Sequence, residues 1–349
     1  MRVKDVLLLC AMLSAAGCLA QEPESYTKDY KHALRYGAKA KMTLRIVDDE
    51  GKPVSNAVAT IQFTPPKATK YVIWDGISDS NGVVVAEGLT TQTVPGKVAK
   101  DGYYNSWFRF RSGDPNLHDN GGESSKIYYD SKAKDGRWLP WNPTIPVVLR
   151  EIRNPIPMYV KLFEGKFPNG EVVGFDCEKG DFVSPYGSGD LADFTFRVLV
   201  SGDTHLAVKE ISIDALDPDG GFVVSEANQS SAFKSEYFAP DYGYVTNLNA
   251  SSSYGPEGFK GTVPYSGNSY LIFKSRVKRD SDGNVVSANY GKIYGELVYG
   301  RGEVELETAY VSFLYYFNPT PNDRNLEFDG KNNLFKPGWN SNLNWSREP

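Results

Sequence analysis

The stretch "RIVDDEGKPVSNAVATIQF", residues 45–63, decides the fold of this chain. It opens on the end of an alternating run, in which Met42, Leu44 and Ile46 interleave with Thr43, Arg45 and Val47. That period of two is the mark of a half-buried β-strand. Asp48 to Gly51 then turn the chain. Pro53 has a fixed φ and no N–H, so it suits a strand entry where no ladder donor is needed. Pro53-Val54 is thus expected to begin the next strand, a β-branched run to Phe63 of which Ala57 to Ile61 cross the core. Asp48, Asp49 and Glu50 read as a solvated corner.

The same grammar extends outward. "YVIWDGIS", "VVVAEGL", "VPGKVAKDGYY", "SWFRFRS" and "TIPVVLREI" follow as short strands set off by turn signals, the pattern of an all-β sandwich. One connection, residues 113–142, exceeds the usual loop length and carries two tryptophans, which marks it for function. "REIRNPIPMY" is a domain boundary, since Pro155 and Pro157 cannot donate to a ladder. Beyond it, "MYVKLF", "DFTFRVLVS", "LAVKEISIDAL", "GGFVVSE", "SYLIFKSRVKRD", "VVSANYGKIYGELVYG" and "VELETAYVSFLYYFN" are strands again. Leu271, Phe273, Ser275 and Val277 are expected to share one face. The Asn- and Pro-rich segment 318–349 is expected to lie on the second domain, anchored by Phe328, Phe335, Trp339 and Trp345.

Three pieces of the first half occur in order. D-x-x-G-x-P-V spans Asp48 to Val54, D-x-N-G spans Asp79 to Gly82, and Gly102-Tyr103 ends a strand. This series resembles the carboxypeptidase regulatory-like, transthyretin-related domains over residues 40–112, with a last strand near 144–152. The resemblance implies a seven-stranded sandwich that is itself non-catalytic and is common in secreted and envelope proteins. The 113–142 insertion departs from the family's compact pattern. The chain is therefore read as all-β, with tandem β-sandwich domains, the first Ig- or transthyretin-like. The segments are a signal peptide (1–20), a short helix or linker (21–38), the first sandwich (39–152), a second β-rich domain (153–317) and the tail.

Arg2 and Lys4 precede a short apolar run, Val6 to Ala16, and then small residues. This is a secretory signal, too short to span a membrane. Cleavage after Ala20 and a lipobox ending in Cys18 both fit. In the second case Cys18 would be acylated, with Ala15 standing where Leu is usual. Cys177 reads as a buried small residue, and the chain has no disulfide framework. In the helix "EPESYTKDYKHALRYG", Tyr26, Tyr30, Ala33 and Leu34 form one stripe and Gly37 ends it. The formal charge is −5 with no basic block, which argues against nucleic acid and leaves a lipid at Cys18 as the membrane contact.

No pattern for catalysis or cofactor binding emerges. The three histidines, His32, His118 and His205, lack a second His or Glu in helical register, and no phosphate loop or nucleophile elbow occurs. Asp280 to Asn284 resembles half a calcium loop, but Gly291 stands where the closing Glu belongs. Asp181, Asp190 and Asp193 are the nearest to a glycosidase carboxylate pair, and turn roles are favoured for them. The aromatics carry the better hint. Trp138 and Trp141 on the long loop, with Trp107 and Tyr104, are either exposed platforms for sugars or proteins, or rings folded back onto the sandwich. The expected function is that of a non-catalytic secreted, periplasmic or outer-envelope binding, adhesion or assembly module, with a carbohydrate or a protein as partner. The alternatives are a secreted carbohydrate-active enzyme with a catalytic second domain, and a surface-fibre subunit.

Overall fold

A computed structural model describes residues 32–335 except 34, 68–69, 92, 111–128, 131–135, 140, 203–207, 229, 256–257, 263, 266 and 303–306. The signal segment with Cys18, the first part of the helix, most of the long loop, Trp339 and Trp345 lie outside the described residues. What is described of the helix, His32, Ala33, Arg35 and Tyr36, buries Ala33 in the first core. It ends where the Gly37 N–H donates to the Ala33 carbonyl at 2.8 Å, with Gly37 at φ 77°.

The chain folds as two β-sandwiches. The first contains β1 (Ala38–Asp48), β2 (Val58–Phe63), β3 (Val72–Ile77), β4 (Val83–Thr90), β5 (Val94–Ala99), β6 (Ser106–Phe110), β7 (Tyr129–Asp130), β8 (Arg137–Trp138) and β9 (Thr144–Leu149). One sheet runs β4-β1-β8-β7 with β9 also on β1; the other runs β3-β2-β5-β6. The strand after the long insertion, β9, pairs with β1 in parallel, Thr43 beside Thr144 through Asp48 beside Leu149. Met42, Leu44 and Ile46 meet Ala59, Ile61 and Phe63 in the core, as the alternation predicts.

The corner in residues 45–63 differs in detail from expectation. Asp48 Oδ1 accepts the Glu50 and Lys52 N–H groups at 2.9 Å each, and Gly51 has φ 79°. Pro53 makes an isolated bridge to Val47, and a further turn follows, with Asn56 at φ 55°. The second strand therefore begins at Val58, not at Val54. The next turn uses Asp79 Oδ1 to accept the Asn81 and Val83 N–H groups at 2.9 and 2.8 Å. Gly82 is needed there: at φ 72°, a Cβ would stand 2.2 Å from the Ile46 carbonyl oxygen.

The second sandwich contains β10 (Ile156–Pro168), β11 (Val172–Asp176), β12 (Asp181–Phe182), β13 (Phe194–Ser201), β14 (Val208–Ala215), β15 (Gly221–Glu226), β16 (Asn247–Gly255), β17 (Gly258–Gly261), β18 (Ser269–Arg279), β19 (Val285–Arg301), β20 (Thr308–Asn318) and β21 (Phe328–Asn333). Its sheets run β15-β18-β19-β20-β10-β21 and β12-β11-β13-β14-β16-β17. Between them Phe163, Phe175, Phe194 and Phe313 pack ring to ring at 4.7–6.4 Å. Such pairs contribute about 0.5–1.5 kcal/mol each beyond burial. Pro157 lies in β10 where its parallel pairing with the edge strand β21 shifts register, so no ladder bond is lost.

The first of these sheets is buried on both faces. Leu271 and Phe273 face the inter-sheet core, while Tyr270 and Ile272 are equally buried on the other side with Ala239 and Leu326. A two-sided strand cannot show a clean alternation. The 318–349 segment is only partly irregular, since Phe328 opens β21 and Phe335 packs edge-on against Tyr159 at 4.9 Å.

Candidate functional site

The four aromatic residues singled out by sequence go to four different environments. Trp138 is 1% exposed, and its indole N–H donates to the Thr90 carbonyl at 2.9 Å. It plugs the first core, so its ring is not presented to a ligand. A large apolar ring returning on a polar loop gains more from burial than from exposure. Trp141 is half-buried under cations, with the Arg137 guanidinium 4.6 Å and the Lys41 ammonium 6.0 Å from its ring. Tyr104 is buried between the sandwiches. Trp107 is 42% exposed, on β6.

Register defines what surrounds Trp107. On β2, Ala59, Ile61 and Phe63 point to the core, so Val58, Thr60 and Gln62 point out. Across the sheet Trp107 stands beside Lys97, Lys97 beside Thr60, and Thr60 beside Asp75. One row of the outer face thus reads Trp107, Lys97, Thr60, Asp75, about 14 Å over three strand spacings. A neighbouring row carries Ala99, Val58 and Ile77, the last two exposed.

The two edges of this sheet are treated differently. Beside β6 comes a segment of the second sandwich: Ser106 bridges Ser231, and the Trp107 N–H donates to the Ser230 carbonyl at 2.7 Å. The β3 edge carries no partner strand among the described residues, and Tyr71, Val72, Ile73 and Ile77 are exposed along it.

The sandwich junction is a buried polar interface that sequence reading missed. Glu327, 1% exposed, accepts the Tyr104 hydroxyl at 3.0 Å and the Arg153 and Asn154 N–H groups at 2.8 and 2.6 Å. Arg150 donates to Asp49 at 3.1 Å and to the Phe233 and Ser235 carbonyls. Its guanidinium lies 4.6 Å from the Phe233 ring and 4.5 Å from the Tyr237 ring. Asp49, read from sequence as solvated, also accepts the Tyr237 hydroxyl at 3.1 Å. Behind them Lys292 is fully buried, its Nζ 2.9 Å from Ser235 Oγ and 4.7–4.9 Å from the rings of Phe233, Tyr294 and Tyr316. Burial, then the nearby Arg150 charge, holds its pKa well below the usual lysine value, against the opposing pull of Glu327.

The carboxylates of the second sandwich converge on an arginine. Arg276 sits at a register shift in β18 with φ 51°. Its guanidinium bonds Asp193 at 2.9 and 3.1 Å, Asp176 at 3.1 Å and Glu178 at 2.5 Å. Asp176 also accepts the Glu178, Lys179, Asp190 and Leu191 N–H groups. Burial alone would raise its carboxyl; those backbone donors and Arg276 outweigh this and hold it below the usual range. Asp181 accepts the Phe182 and Ser188 N–H groups, and Asp190 pairs with exposed Lys179 at 3.1 Å. These carboxylates order turns. Cys177 is buried beside them; burial, then the Asp193 charge, push its thiol well up. Asp280 accepts the Asp282 and Asn284 N–H groups as a hairpin turn. No His, Cys, Asp and Glu grouping suited to a metal occurs among the described residues.

No family model matches the chain, and no curated protein matches it. Among solved structures it is similar to the 3-chlorocatechol 1,2-dioxygenase of Rhodococcus opacus 1CP, at 11% identity and a TM-score of 0.27, over 34% of this chain. It spans 62% of the length of that enzyme. It is similar to the shaft pilin of Lactobacillus rhamnosus GG, at 11% identity and a TM-score of 0.21, over 74% of this chain and 94% of that one. It is also similar to the major pilin subunit of Bacillus cereus, at 10% identity and a TM-score of 0.23, over 78% of this chain and 95% of that one.

Proposed function

We propose that the chain is an exported, non-catalytic binding module that takes saccharide on the outer face of the β3-β2-β5-β6 sheet. The observation that carries this reading is the exposed Trp107 ring in line with Lys97, Thr60 and Asp75. An indole face packs against the C–H face of a sugar ring, and the row beyond it supplies an ammonium, a hydroxyl and a carboxylate for ring hydroxyls. Export rests on the N-terminal sequence, and a secreted, periplasmic or outer-envelope location goes with it. The first sandwich is proposed as a carboxypeptidase regulatory-like domain; the Asp48 and Asp79 turns and the Gly102 turn that follows β5, with Gly102 at φ 81°, support this.

Glycan arrays and polysaccharide pull-downs test the reading. Wild-type protein retains a saccharide, and Trp107→Ala loses it. Equal retention by Trp107→Ala overturns the assignment.

A second reading, assembly into a larger surface structure, is favoured by the open apolar β3 edge, which offers a template for strand addition. Light scattering over a range of protein concentrations tests it. Mass that rises with concentration, and falls back in Ile73→Lys, supports assembly; a constant monomer mass removes it.

A further inference from the structure

The outer face of the β11-β13-β14-β16-β17 sheet carries an open groove of about 320 Å³, remote from Trp107 in sequence and on the other sandwich. Register arranges its side chains in rows. Leu199, Glu210 and Ser251 form one row, and Arg197, Ser212 and Asn249 the next. Thr262 closes the side, its hydroxyl accepting the Ser251 N–H at 3.1 Å. Ile211 and Ala250 belong to the strands beneath and close the floor toward the core.

The polar groups here are unequally used. At one end of the groove the lining residues Ser212 and Asn249 bond Asp214 and Asn247 beyond it, with Asn247 Nδ2 donating to Ser212 Oγ at 3.2 Å. Arg197 Nε donates to the Gly170 carbonyl at 3.1 Å, which fixes the guanidinium plane. Its Nη groups and the Glu210 carboxylate have no hydrogen-bond partner among the described residues. The groove therefore offers a planar donor and a planar acceptor, with hydroxyls and a carboxamide between them and a Leu199 side chain as an apolar wall.

We infer that this groove is a second saccharide site, taking a neutral sugar of one or two rings. Three features carry the ligand class. Arg197 and Glu210, the two charged residues of the lining, cancel in charge, so the lining itself favours no net-charged ligand. Planar guanidinium, carboxylate and carboxamide groups suit the paired hydroxyls of a sugar ring. The volume lies near the lower end of small-ligand sites, roughly 300–1,000 Å³. The inference rests on the glycan-binding reading for its ligand class, and on none of the Trp107 residues for its geometry. With sites on both sandwiches, one molecule holds two points of a polysaccharide, and the effective concentration of the second contact raises retention without new contacts.

Calorimetric titration of full-length protein with maltose, cellobiose and lactose, each to about 10 mM to reach weak affinities, tests the site in the Trp107→Ala background. Binding of at least one disaccharide, weakened about tenfold or more by Glu210→Ala and by the groove-filling Ser212→Trp, is the expected result. Glu210 is exposed, so Glu210→Ala keeps the fold, and circular dichroism melting checks both variants. No heat with any of the three disaccharides overturns the inference. So does binding unchanged by Glu210→Ala and Ser212→Trp, or displacement of the sugar by glycine, which would make this a zwitterion site. The same titrations with Trp107 intact and Glu210→Ala present report on the first-sandwich face alone, so failure of one site leaves the other readable.

Discussion

Replacing Arg276 by Met should destabilise the second sandwich by about 3–5 kcal/mol. The guanidinium is the only cation bonded to Asp193 among the described residues, and the Asp193 and Asp176 side chains are 0% and 3% exposed. Met restores the aliphatic volume over the Phe317 ring, which the guanidinium carbon now approaches to 4.9 Å. The lost quantity is thus charge compensation rather than packing. Breaking a buried pair by removing one partner costs about 3–5 kcal/mol. In a domain of this size each kcal/mol lowers Tm by about 2–4 °C, so the fall is about 6–20 °C. Relief of the positive φ at position 276 offsets little, since Met at φ 51° is as strained as Arg. Calorimetry and urea unfolding, followed by circular dichroism, measure the change. Its pH dependence carries a sign. Asp176 titrates below its unfolded value of 3.8, so its stabilisation is complete above about pH 4 and is lost as pH falls through the folded pKa. Without Arg276 the carboxyl titrates higher, so the gap between variant and parent is widest near neutral pH and narrows on acidification. A loss under about 1 kcal/mol, typical of an exposed pair, or a gap that is constant with pH, would refute this account.

Three further outcomes follow from the packing. Lys292→Met should raise Tm near neutral pH by the equivalent of about 1 kcal/mol or more, because an apolar isostere removes a desolvation cost. The Lys292 pKa is lowered on folding, so parent stability rises with pH between the folded and unfolded values; the variant should lose that slope in unfolding experiments run from neutral to alkaline pH. Tyr104→Phe leaves Glu327 short of one donor and should cost about 1.5–3 kcal/mol, seen by calorimetry as earlier separation of the two sandwich transitions. Gly291→Ala would place a Cβ 2.2 Å from the Phe273 ring and 2.5 Å from the Tyr316 carbonyl, so it should destabilise by about 1–3 kcal/mol or more in urea unfolding.

The class of fold, the two sandwiches and the turn chemistry were legible because they are local. Asp48, Asp79 and Gly82 act on neighbours within a few positions, and a period of two needs no distant partner to be recognised. Burial of both faces was not legible, because Tyr270 and Ile272 are covered by residues far along the chain, Ala239 and Leu326 among them. The register shift that swings Arg276 out of alternation is likewise invisible in "FKSRVKRD", where the residue reads as one more surface charge.

Residues 45–63 show the division in one segment. By itself the sequence determined a strand, a tight corner and a second strand, since those depend on backbone preferences and side-chain alternation. Only the tertiary structure decided that Asp49 is a junction residue, because its partners, Arg150 and Tyr237, arrive from the end of the first sandwich and from the second. The same holds for the aromatic rings. Sequence put Trp138 and Trp141 of the long loop first, with Trp107 and Tyr104 beside them; long-range packing buried Trp138 and Tyr104, covered Trp141 with cations, and left Trp107 on an open sheet face. Polarity of the surrounding loop cannot foretell that outcome, since it depends on which distant strand offers a cavity of the right size.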